Sequence, residues 1–139
     1  MKQKPEIVFK STQEEVNKNI ALHGFHIWYL TEKDSEYINA FTQGLQETFS
    51  HTDLQIVLPV GQEKCASIFH TLKTYISEGN RIETNQIHSG LLPFPFLAIE
   101  VPKSAHTQNL DVIRIVLPDS NGKFPHEDAC DPHFKAQFN

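Results

Sequence analysis

The chain predicts an α+β domain in which a mostly antiparallel sheet carries one long and one shorter helix, followed by an irregular C-terminal tail. Three observations carry that prediction. Short aromatic or β-branched runs recur along the 139 residues, one segment alone sustains a strong helical period, and Gly, Pro and Asn-Gly breaks divide them. The length suits one hydrophobic core, so residues 1–139 read as a single domain.

Ser11 followed by Glu14 has the spacing of a capping box, and Gly24 supplies a left-handed stop, so a helix is expected over about Thr12 to Leu22. Val16, Ile20 and Ala21 give it a thin apolar stripe that suits the surface of a sheet. Phe25 to Leu30 is aromatic and β-branched and reads as a strand, the charged stretch Thr31 to Glu36 as a hairpin turn, and Tyr37 to Thr42 as the return strand. Leu45 to Thr52 reads as a loop, and Leu54 to Leu58 as a short strand closed by Pro59. From Gly61 to Gly79 the period lengthens: Cys65, Ile68, Phe69, Leu72, Tyr75 and Ile76 fall three and four apart and share one helical face. Strands are then expected over Arg81 to Ile87, Phe94 to Val101 and Val112 to Leu117, with a turn at Pro118 to Gly122. Lys123 to Asn139 has Pro125, Pro132 and little periodicity, which makes it the irregular tail.

Twelve Lys plus Arg against 17 Asp plus Glu give a formal charge of −5, which disfavours a binder of nucleic-acid backbone. No apolar run reaches the roughly 18 to 20 residues that span a bilayer. The N-terminal stretch lacks an apolar core followed by a small-residue cleavage site, so a soluble, cytoplasmic protein is expected. Cys65 and Cys130 are too few for a disulfide framework and read as thiols, Cys65 as a small buried hydrophobe. Eight histidines would carry the formal charge to +3 if all were protonated. Association of copies through them, as a homodimer, would change between about pH 5.5 and 7.5.

Ligand-type residues are densest in the tail. His126, Cys130 and His133 have a spacing that zinc could use, with Glu127, Asp128 and Asp131 interleaved; the alternative is a solvated acidic tail, and no cofactor is otherwise expected. His51, Cys130 and Asp131 could supply a base, a nucleophile or metal ligand and a carboxylate for a small hydrolytic enzyme, provided that they converge. His26 would share a strand face with Trp28, either packed there or as a ligand. Gly-rich phosphate loops, nucleophile elbows and zinc-protease helices are absent from the sequence. The competing expectation is a binding or accessory module, for a small molecule or a protein, using Trp28, Phe41, Gly44 and Asp119.

The series His23-Gly24-Phe25-His26-Ile27, Ala40 to Leu45, Ser50 to Ile56, and Val116 to Pro125 through Cys130-Asp131-Pro132 resembles the bacterial family called domain of unknown function four-two-six-two. Typical members look like Tyr-Thr-x-Gly-Leu, Gly-His-Pro-Glu-Leu and Trp-Pro-Asp-x-x-Gly-x-Phe-Pro-Trp. Here Phe41 stands for the Tyr, Ser50 and Thr52 flank His51, Leu117 stands for a Trp and His126 for another, while His51, Gly44, Asp119, Gly122 and Cys130 match. The resemblance implies a small cytoplasmic bacterial protein and transfers no substrate or catalytic role. Gly44 and Gly122 are expected to serve turns with positive φ, and Asp119 to cap its own turn.

Overall fold

The computed structural model describes residues 12–31, 38–58, 61–103, 111–135 and 137, with the side chains of 31 and 58 left aside. Its elements run α1 (Gln13–His23), β1 (His26–Thr31), β2 (Ile38–Gln43), α2 (Leu45–Phe49), β3 (Asp53–Leu58), α3 (Gln62–Ser77), β4 (Gln86–His88), β5 (Phe96–Val101), β6 (Val112–Val116) and α4 (Pro132–Lys135). The α+β expectation holds, with two corrections: four helices, not two, stand among the described residues, and the sheet is mixed. Its order is β1-β2-β3-β6-β5-β4, and β3 and β6 pair in parallel while the other neighbours are antiparallel. The parallel join follows from α3, which returns the chain along the sheet after β3, so that β4 and β5 must alternate before β6 can lie beside β3.

Local chemistry moves several boundaries. Thr12 caps α1, its Oγ1 accepting from the Glu15 N–H at 3.2 Å, so the capping signature used is Thr12-x-x-Glu15 rather than the one beginning at Ser11, which lies outside the described residues. The expected turn after Thr31 and the stop at Pro59 also fall outside them, although Thr31 opposite Ile38 fixes the antiparallel pairing of β1 with β2. The stretch read as a loop after Gly44 contains α2, and the strand expected from Arg81 begins only at Gln86. The tail is partly ordered by α4 and by buried Gln137.

The core lies between the sheet and α3. Cys65, Ile68, Phe69, Leu72 and Ile76 bury the predicted helical face against Ala40, Leu54, Ile56, Ala98, Ile113 and Ile115. Those sheet residues occupy alternate positions, so the intervening residues point to the opposite face. There α1 covers β1, with Val16 its one fully buried side chain, and Gln137 of the tail covers Arg114.

Candidate functional site

The second sheet face holds the unusual residues. Strand register sets Trp28 beside Phe41, Phe41 beside Gln55, Gln55 beside Arg114 and Arg114 beside Ile99, a single row across five strands. Gln55 and Arg114 are buried in the middle of that row. Arg114 Nε donates to Gln55 Oε1 at 2.9 Å and a terminal nitrogen donates to the Gln137 carbonyl at 2.8 Å; Gln55 Nε2 donates in turn to Asn39 Oδ1 at 2.9 Å. Burial pulls the Arg114 guanidinium below its ordinary pKa. Gln137 clamps the end of β6, its amide nitrogen donating to the Leu117 carbonyl and its oxygen accepting from the Leu117 N–H, both at 2.7 Å.

At the β1 end, Trp28 Nε1 donates to Gln43 Oε1 at 2.7 Å, which fixes the half-buried indole. His26 stands edge-to-face with Trp28, centroids 4.9 Å apart, and is only 5% exposed. Its Nδ1 meets Asn19 Nδ2 at 2.9 Å, whereas its Nε2 is buried without a hydrogen-bond partner among the described residues. A buried polar atom left unpaired costs about 1–3 kcal/mol. Burial lowers the His26 pKa, and Glu15 opposes that shift only in part, so the ring is neutral at pH 7.

Other residues singled out in the sequence serve the fold. His51 is buried: one ring nitrogen, Nδ1, meets the Thr52 carbonyl at 2.8 Å and the other, Nε2, accepts from the Ile82 N–H at 3.0 Å. Donation from Nδ1 and acceptance at Nε2 describe a neutral ring, and burial lowers its pKa first of all. Asp53 Oδ1 accepts from Thr42 Oγ1 at 2.8 Å and from the Leu45 N–H at 3.0 Å, which fixes the start of α2; burial nonetheless raises its pKa. Gly44 has φ 111°, and a Cβ there would stand 3.0 Å from Ile20, so its role is to let the chain turn beneath α1.

Asp119 Oδ1 accepts from the N–H groups of Asn121 and Lys123, and Oδ2 from that of Asp131. The bonds to Lys123 and Asp131 lead in holding its carboxyl below the usual range, and Gly122 closes the turn with φ 78°. Cys130 is buried in the same loop, and burial, then the Asp119 charge, raises its thiol pKa. Cys65 is buried as expected, its thiol pushed up to about 11.

Convergence is what the hydrolytic arrangement required, and the topology sets its members apart. Asp53 pairs with Val112, so His51 lies beyond the entry end of the parallel pair, while Asp119, Cys130 and Asp131 follow the exit of β6 at Val116. The four residue steps from Val112 to Val116 alone cover about 13 Å. His126 is exposed and stacks on Phe124, His133 is exposed, and Cys130 is buried; among the described residues no group of three or more His, Cys, Asp or Glu could hold a metal ion. Of the proposed binding residues, the structure unites Trp28 with Phe41 and leaves Gly44 and Asp119 in turns. Gln55, Arg114 and Gln137 were not singled out from the sequence, although a charged residue between Ile113 and Ile115 in an otherwise apolar strand was the available signal.

These features define a class: a small α+β protein with a mixed six-stranded sheet, one face closed by a long helix and the other carrying a buried polar row. The chain belongs to the family described as Domain of unknown function (DUF4262), whose profile matches residues 19–131. The match runs from within α1 to Asp131 and takes in every strand described above. No curated protein and no solved structure matches the chain. Among the described residues, no helix is long and apolar enough to cross a membrane.

Proposed function

We propose that this chain is a binding module whose ligand surface for a small molecule is the second sheet face. The observation that carries the reading is the row Trp28-Phe41-Gln55-Arg114, in which an aromatic pair and a hydrogen-bonded polar pair share one face of the sheet. A face needed only for stability is served as well by apolar side chains, since replacing buried charged groups with apolar residues of similar volume is often neutral or stabilising. A few placed polar groups beside aromatic side chains are what a small-molecule site uses to orient its ligand. The hydrolytic alternative has no such support: His51 spends both ring nitrogens on the backbone, and its partners lie past the other end of the sheet.

A two-dimensional NMR screen of the labelled chain with planar fragments, neutral and charged, tests this reading. Shifts are expected to gather on Trp28, Phe41, Gln55 and Arg114. Shifts that gather on the Asp119 loop instead, or a screen without any shift, overturn it.

A further inference from the structure

We propose that His26 donates its Nε2–H to a neutral carbonyl oxygen, of an amide or a ketone, on a small planar ligand lying against the Trp28 indole. The inference rests on the reading of the second face as a ligand surface, and it names the chemistry recognised at the β1 end. An amide NH2 group can only donate, so the 2.9 Å contact from Asn19 Nδ2 makes Nδ1 of His26 the acceptor. A neutral ring with Nδ1 accepting carries its proton on Nε2. That N–H is buried and has no partner among the described residues, on a side chain 95% buried, so what it lacks is an acceptor.

Three neighbours narrow the acceptor further. Glu15 of α1 is close enough to act electrostatically on His26, and its negative charge works against a second carboxylate at the same place. Burial itself disfavours a charged ligand atom that brings no counter-ion. The Trp28 ring, 81° from the imidazole plane and anchored through Nε1 to Gln43, offers a fixed surface for a flat group beside the donor. Gln43 is the cross-strand partner of His26, so β1 and β2 hold donor and anchor in register.

Benzamide and benzoate, titrated into the full chain, separate the alternatives. The readouts are the His26 Nε2–H resonance of histidine-labelled protein and the emission of Trp28, the sole tryptophan. Benzamide should move the Nε2–H resonance downfield and change the Trp28 emission, with benzoate about tenfold weaker or more. His26→Phe should weaken benzamide by about tenfold, the worth of one neutral hydrogen bond. The wild-type resonance decides the matter even if that variant folds poorly. Benzoate binding as tightly as benzamide, or a saturating benzamide titration that leaves Nε2–H unmoved, overturns the proposal. Shifts confined to Gln55 and Arg114 overturn it while sparing the wider reading of the face; no response to benzamide at either place overturns it too, and the fragment screen then decides that wider reading.

Discussion

Leu54, Ile56, Ile113 and Ile115 face α3, and on the same strands Gln55 and Arg114 face the other way, so neighbouring positions in β3 and β6 are stabilised by different physics. The α3 side is secured by non-directional apolar burial, which tolerates exchange of one aliphatic residue for another of like volume. The second side is secured by directional bonds from Arg114 to Gln55 and Gln137 and from Gln55 to Asn39, each of which fails if its partner leaves. The two histidines show the same division. His51, buried among backbone groups, uses both ring nitrogens, whereas His26 on the second face leaves one unused.

The largest expected effect lies on the apolar side. Phe69→Ala should destabilise the chain by about 3–5 kcal/mol in a denaturant titration, the usual cost of emptying a fully buried aromatic site. A loss near 1 kcal/mol would mean that α3 is not the principal core element.

Next in size is the contrast between the histidines. His51→Phe should cost about 1–3 kcal/mol because it strands the buried Ile82 N–H, while His26→Phe should leave stability within about 1 kcal/mol of the parent or raise it. Equal losses at the two sites would erase the distinction between them.

A double-mutant cycle on Gln55→Leu and Arg114→Met sharpens the second face. Each single change should lose about 1–3 kcal/mol, and the pair should lose less than the sum, with a coupling of about 0.5–3 kcal/mol. Strict additivity would show that their 2.9 Å contact contributes nothing.

The smallest effect is on pH dependence. His26 and His51 both have folded pKa values lowered from 6.5, so below pH 6.5 the unfolded chain takes up protons first and stability falls. The dependence fades about one pH unit above 6.5, where both states are deprotonated. Thermal midpoints should therefore decline as pH drops from 6.5 toward the folded values, and less steeply in His26→Phe. An unchanged slope in that variant would contradict the neutral, buried state of His26.

Much of this molecule was legible in the chain. The spacing of Cys65, Ile68, Phe69, Leu72 and Ile76 dictated α3, because a 3.6-residue period needs only local information, and the break residues located five of the six strands to within a few positions. The Asp119 turn was equally local, since an aspartate two and four residues before its donors can close the loop by itself. Trp28 and Phe41 were singled out by type, and alternation alone placed His26 on the Trp28 face.

Tertiary structure decided the rest. The parallel pairing of β3 with β6 depends on contacts far apart in sequence, and that pairing brings Gln55 to Arg114. Gln137, in a stretch that showed no periodicity, reaches back to Leu117 and Arg114 through bonds that no local pattern encodes. The same pairing sets His51 beyond one end of the sheet and Cys130 beyond the other. Residue type announces what chemistry a side chain can perform, but only long-range pairing decides which side chains meet.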